Sequence, residues 1–377
     1  MKKILIAVIV ITFAAFFLTG SAPAKETIKI GAIYPFTGQM AAYAEDAKRA
    51  LDFAQEEINA AGGINGNEVK FIMEDDTGTP KGGVSAAQKL IEIDKVDAIV
   101  GCLFSSVVLA VKPILNANKV VLVAPMASNP DVYVGTRYII SLTPTDNDNC
   151  YVNAKYCTQV LKKKTLATLY MMNDTGIASD RLLSKWWENF GGRVLAHESF
   201  KPGATDFRTE LTKIRAASPD TLYVCVTWRE GVNVLKQVSE MNVKSHVTAN
   251  SQVREPKLLE LAGTAAEGMT FTTSYTGGTE EDKKVKEKFE KEFTARYKQP
   301  PAIVGYGTYD CAKVVFEAMK RGSTKGDSLR ETIVKLNMPG VFGPIRFRED
   351  GSPRRDTAMW LVKDGKFFDL NYIDAAP

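Results

Sequence analysis

From Thr27 onward the apolar positions switch between two periods. "TIKIGAIYP" (27–35) is an apolar run of strand length. "AEDAKRALDFAQEEINAAGG" then places Ala47, Ala50, Leu51, Ala54 and Ile58 at helical spacing, and Gly62-Gly63 stops it. The exchange continues. "EVKFIMEDD" predicts a strand, "GGVSAAQKLIEID" a helix with Val84, Ala87 and Ile91 on one face, and "VDAIVG" and "KVVLVAP" two further strands. After Thr143 the pattern restarts. "TLATLYM", "RVLAHESF", "DTLYVCVTW" and "SHVTAN" predict strands. "SDRLLSKWWENFGG", "DFRTELTKIRAAS" and "EGVNVLKQVSEMN" predict the helices between them, with a short helix at Pro256–Ala262. Such alternation makes parallel sheets with helices on both faces. Two runs of it predict an α/β chain of two doubly wound lobes.

From Glu280 the character changes. "EDKKVKEKFEKEFTARYK" is a charged helix with Val285, Phe289 and Phe293 on its apolar face. Further helices are predicted from Val304 to Lys320 and from Ser328 to Leu336. The tail reads as β-hairpins turned at Asp350-Gly351 and Asp364-Gly365. Being antiparallel, it is expected to pair onto a lobe already built.

The N-terminus has the form of an export signal. Lys2-Lys3 precede an apolar run from Ile4 to Leu18, and Ala22-Pro23-Ala24 offers a small-x-small cleavage site after Ala24. The run is short for a membrane span, which takes about 20 residues. No Cys follows it to carry a lipid. The mature chain is expected to have no stable membrane insertion. Its length suits two domains. A net charge of +4 and the lack of a basic stripe argue against a nucleic-acid partner.

Chemistry-bearing motifs are few. Five Cys form no C-x-x-C or Cys/His cluster, and there are two His, so no metal is expected. Cys150 and Cys157, on one helix, stand roughly 10 Å apart along its axis, beyond disulfide reach. The Cys read mainly as core thiols. No Gly-x-Ser-x-Gly elbow, Walker loop or Gly-x-Gly-x-x-Gly follows a strand, so neither an enzyme nor a cofactor is expected. Glu74-Asp75-Asp76 read as a strand end, with Thr77 and Thr79 capping the next helix. His197 reads as a structural residue in mid-strand. Trp186-Trp187 read as packing, with one ring forced to face elsewhere.

In an open α/β sheet, ligands sit beyond the carboxyl ends of the strands. Ser105 and Ser106 fall there, after "VDAIVG" and before a helical pattern, with no charge ahead of Lys112. Helix-end N–H groups plus a hydroxyl make an anion site without Lys or Arg. A Ser there is equally an ordinary N-cap. From the residues alone both readings stand. Met126-Ala127-Ser128, Thr175, Thr227-Trp228 and Ser251 occupy other strand ends.

Four stretches resemble one family across nearly the whole mature chain. They are "IKIGAIYPFTGQMAAYAEDAKRALDFAQEEINAAGGING", "VDAIVGCLFSS", "VVLVAPMASNP" and "GTYDCAKVV". The family is the type I periplasmic substrate-binding proteins of branched-chain (hydrophobic) amino-acid ABC uptake systems. The resemblance implies a monomeric, non-enzymatic periplasmic receptor that closes on its ligand by a hinge motion and docks on a membrane ABC permease. It implies two lobes joined by three crossovers near Thr143, Thr273 and Phe347. Residues 1–24 are then the signal, 25–143 plus 274–346 lobe 1, and 144–273 plus 347–377 lobe 2. It implies that Ser105, in a loop with Phe104 and Ser106, holds a ligand carboxylate, and that Ser106 is the cap. Ser128, with the Met126 carbonyl and Ala127, would meet the ligand head group, and Tyr43 would pack on it.

Across the cleft the resemblance implies Thr175, Thr227, Trp228 and Ser251, and here the chain departs from the family. Thr175 stands where amino-acid binders often have Tyr. Thr227 or Trp228 replaces another Tyr. No acid stands near Ser251 to pair with a ligand ammonium; Glu230 and Glu255 are the nearest candidates. Two ligand classes therefore stay open: a hydrophobic amino acid, or an aromatic or aliphatic carboxylic acid without an amine. A sensory receptor subunit is the alternative to a transport component.

Overall fold

The computed structural model describes residues 26–38, 41–274, 279–374 and 376; the segment read as an export signal lies outside them. Five parallel strands make the first sheet: β1 (Thr27–Tyr34), β2 (Glu68–Asp75), β3 (Ala98–Gly101), β4 (Val121–Ala124) and β5 (Ile139–Ser141). Their spatial order is β2-β1-β3-β4-β5. The first crossovers are α1 (Ala41–Ala60), α2 (Pro80–Gln88, continued by a wider turn through Ile93) and α3 (Ser105–Asn118). β3 and β4 are buried along their whole length, as parallel strands covered on both faces must be. The chain leaves β1 to one side and returns to the other, so the switch point lies between β1 and β3.

The second half repeats the plan. After α4 (Asp146–Lys155) come β6 (Thr165–Met171), α5 (Asp174–Asn189), β7 (Arg193–Phe200), α6 (Arg208–Ala217), β8 (Thr221–Cys225), α7 (Trp228–Glu240), β9 (His246–Ala249), α8 (Pro256–Ala262) and β10 (Thr270–Ser274). Three helices follow: α9 (Glu280–Tyr297), α10 (Ile303–Lys320) and α11 (Gly326–Val334). The tail adds β11 (Asn337–Met338), β12 (Ile345–Arg346), β13 (Thr357–Lys363) and β14 (Lys366–Asp374). The second sheet runs β14-β13-β10-β9-β8-β6-β7, with its switch point between β6 and β8. β13 and β14 join antiparallel at its β10 edge, as the tail pattern implies.

The first core draws on two stretches, Ile28 to Leu142 and Phe289 to Ile345. The second sheet has one core on each face. The chain thus passes between the cores within residues 142–150, 271–289 and 345–359. Among the described residues no helix is long and apolar enough to cross a membrane.

Some elements differ from the sequence pattern. β5 has three residues, too few to show a period. β10 is "TFTTS", and its threonines are buried although they read as polar. Asp364-Gly365 does turn a hairpin, both residues at positive φ. Asp350-Gly351 turns the chain back as well, but only into a single antiparallel bridge, Phe347 to Pro353, while β12 pairs with β11. Thr79 caps α2, accepting from Gly82 N–H, but Thr77 donates to the Asp76 carbonyl instead. His197 lies exposed on β7, with Nδ1 2.8 Å from Asp180 Oδ1. Trp187 is buried, while Trp186 turns to Tyr151 and donates to Asn147. The five Cys are free and buried.

Candidate ligand-binding site

The first wall begins at Gly101, the last residue of β3. Its φ is +121°, and a Cβ there would stand 2.2 Å from the Ile33 carbonyl oxygen. Only glycine fits. The next peptide, Gly101–Cys102, is cis. Phe104 is extended (φ −107°, ψ 139°) and is the N-cap of α3, with no side-chain cap. Its carbonyl takes the N–H groups of Val107 and Val108, each at 3.1 Å. Ser105 and Ser106 are therefore the first two helical residues. Ser106 is not the cap, because the extended cap conformation falls one residue before the first hydroxyl. α3 thus presents an N-terminus with partial positive charge and no side-chain oxygen over it.

Ser105 is buried, and its Oγ accepts from Asn129 N–H at 3.3 Å. That bond joins it to the loop after β4. The loop is tied down from β5 and just beyond: Ser141 Oγ donates to the Ala127 carbonyl and Thr143 Oγ1 to the Pro125 carbonyl, both at 2.9 Å. Ala127 is buried, while Met126, Ser128 and Phe104 are half-buried. Tyr43, on α1, is the exposed member of the set.

The second wall carries Thr175, Thr227, Trp228 and Ser251, all half-buried. Here the helix ends are occupied from within. Asn173 caps α5 by accepting from Gly176 N–H at 2.8 Å. A Cβ on Gly176 would lie 1.9 Å from the Met171 carbonyl oxygen, so the end of β6 can approach this turn only against glycine. Thr227, the N-cap of α7, donates its hydroxyl to buried Glu230, whose other oxygen accepts from Gly203 N–H at 3.3 Å. Trp228 lies under the Arg229 guanidinium, 4.8 Å from ring centre. Ser251 opens a short turn through Val253, and Asn250 Oδ1 accepts from Val226 N–H, joining the β8 and β9 loops. Glu255 starts α8 through its carbonyl, which takes Leu258 N–H at 2.9 Å.

The walls approach one another. α3 packs against α5, and Arg181 on α5 lies 3.4 Å from Asp131 beyond β4. Between them stands a residue the sequence pattern did not single out. Asp146 is the first residue of α4, and its N–H donates to the Ser128 carbonyl at 2.8 Å. Its carboxyl is buried, and Oδ2 has no hydrogen-bond partner. Burial pushes this carboxyl up to about 7; the Ser128 hydroxyl opposes that shift and Asp148 adds to it. The signal was present in "TPTDND": Thr145 and Asp148 form a capping box, which leaves Asp146 unexplained at the helix start.

The same architecture occurs in known proteins. A Leu/Ile/Val-binding protein homolog of Brucella melitensis is 28% identical over 375 residues, covering 96% of this chain and 98% of that protein. A leucine-, isoleucine-, valine-, threonine- and alanine-binding protein of Pseudomonas aeruginosa is 27% identical over 90% of this chain and 91% of its own. Among solved structures, a leucine-binding protein of Thermotoga maritima superposes with a TM-score of 0.79 at 26% identity, covering 92% of this chain and 99% of that one. A solute-binding protein of Rhodopseudomonas palustris, solved with 3,4-dihydroxybenzoic acid, shares the fold with a TM-score of 0.75 at 24% identity, over 93% and 96% of the two chains. The family model described as periplasmic binding protein matches residues 27–366. With two doubly wound sheets, strand-end loops facing each other and this match along their length, the chain belongs to the periplasmic binding protein family, whose members bind and do not catalyse.

Proposed function

We propose that the chain is the solute-capturing component of an ABC importer, and that its ligand is a small carboxylate with an apolar body. The observation that carries the reading is the α3 N-terminus. It is open, bears buried Ser105 as its first residue, and no side chain caps it. Helix-end N–H groups and a hydroxyl hold a carboxylate by hydrogen bonds without an ion pair. The ligand enters between the walls, the lobes close over it by hinge motion, and the closed form docks on a membrane permease. The N-terminal signal would deliver the chain to the periplasm.

A hydrophobic amino acid is the first candidate, in keeping with the Leu/Ile/Val-binding relatives. The lack of an acid near Ser251 favours a second reading, an amine-free aromatic or aliphatic acid, and a relative of the same fold was solved with such a compound. A thermal-shift panel of hydrophobic amino acids and aromatic acids at pH 6 and pH 8 tests the function. Stabilisation by members of either class is expected. No response to any small carboxylate would overturn the reading.

A further inference from the structure

We propose that Asp146 holds the ligand's ammonium group, and thereby makes the site selective for amino acids over the matching amine-free acids. This rests on the carboxylate-binding reading above and names the second half of the same site. Of the two acids that sequence position suggests, Glu230 is engaged elsewhere, taking the Thr227 hydroxyl and Gly203 N–H. Glu255 is half-buried at the start of α8, where its backbone carbonyl takes Leu258 N–H. Asp146 differs from both. It is buried, one of its oxygens has no partner, and its backbone is hydrogen-bonded to Ser128 of the first wall.

Among the described residues no cation acts on it. From the first wall it faces Ser128, and from its own helix Asp148. Asp148 is already satisfied by the Thr145 hydroxyl and by Arg348 at 2.9 Å. That guanidinium is held in turn by the Pro353 carbonyl. The remaining titratable neighbours, Cys150 on α4 and Tyr223 and Cys225 on β8, are buried, and burial keeps all three in their neutral forms. Cys225 ends the strand that leads to Thr227, so Asp146 lies where both walls meet. A buried carboxylate lacking a countercharge favours its protonated form. An ammonium at Oδ2 supplies the countercharge and the missing hydrogen bond together.

Two matched pairs of probes separate the outcomes: leucine with 4-methylpentanoate, and phenylalanine with 3-phenylpropanoate. Calorimetric titrations of the full mature chain are run from pH 5.5 to 8.5. An ammonium requires ionised Asp146, so amino-acid affinity should rise with pH, by up to about tenfold per unit below the carboxyl's midpoint. The amine-free partner leaves Asp146 facing apolar atoms, so its affinity should fall over the same range. Asp146→Asn should weaken the amino acid at pH 8 by about 30-fold or more and spare the amine-free acid. Parallel pH profiles for the two members of a pair, or equal losses in the variant, would overturn the proposal. If Asp146→Asn does not fold, the wild-type profiles alone decide. Ser105→Ala isolates the parent reading. Binding by wild type that Ser105→Ala leaves unchanged overturns the carboxylate site and this proposal with it, whereas sensitivity to Ser105 with parallel profiles overturns this proposal alone.

Discussion

The two walls of the cleft are built alike and finished differently. Each follows a switch point in a doubly wound sheet, and each presents helix N-termini. On the first wall α3 begins with no side chain over its end. On the second, Asn173 closes α5 and the buried Glu230 carboxylate sits in the first turn of α7. An anion attracted to a helix end finds the first wall open and the second already answered. Under the proposed function the difference divides the roles: the first lobe would supply polar recognition, and the second shape through Thr175, Trp228 and Ser251. Fold homology alone does not distinguish them, since both walls have the same topology.

The harshest way to break the comparison is Gly101→Ala. The new Cβ would meet the Ile33 carbonyl at 2.2 Å, at a φ of +121° that side chains avoid. The first wall must shift as a unit, at a cost on the order of 3 kcal/mol or more. Urea denaturation should show that loss, and binding should vanish with it. Near-normal stability would mean that the turn after β3 is softer than its geometry implies.

Next in size is a pH effect where the walls meet. In the fold the Asp146 carboxyl rises to about 7, first through burial. Its unfolded value is near 4. The ligand-free fold therefore prefers the protonated form. The stability it contributes is complete below about pH 4 and is lost as pH rises through 7. At about 1.4 kcal/mol per unit, three units amount to roughly 4 kcal/mol at most. Asp146→Asn stays neutral, so the gap between wild type and variant should widen in the variant's favour from pH 4.5 to pH 8. Parallel stability curves would count against a buried, unpartnered carboxyl.

Much of this was legible in the chain. The alternation of apolar periods gave both sheets, because parallel strands buried on two faces read as unbroken runs. The strand-end positions of Ser105, Ser128, Thr175 and Thr227 were legible for the same reason. What was hidden depended on contacts distant in sequence. Whether a helix end is open or capped turns on one residue of register: α3 starts at Ser105, so Phe104 is the cap. Glu230 is a candidate by position alone, and only the fold brings the Gly203 N–H onto its carboxylate. Asp146 was hidden because an acid after Thr145 looks like an ordinary helix start, and its lack of a partner exists only once β8 packs beside it.

The smallest effects give the sharpest contrast, because the same kind of residue should fail differently on each wall. Ser105→Ala removes a buried hydroxyl that accepts from Asn129 N–H at 3.3 Å, so urea stability should fall by about 1 kcal/mol, the cost of leaving that donor unpaired. Carboxylate affinity should fall by roughly 1–3 kcal/mol, the cost of an unpaired charged acceptor. Asn173→Ala should match it in stability and differ in affinity. It uncaps α5 and should lower stability by about 1 kcal/mol. It should leave affinity nearly unchanged, because the end it exposes lies on the wall that supplies shape. Calorimetry and denaturation on both variants form one experiment. If Ser105→Ala leaves affinity unchanged and Asn173→Ala lowers it, the assignment of roles to the walls is inverted. If both variants lose affinity alike, the two helix ends share the ligand and the asymmetry of capping has no functional meaning.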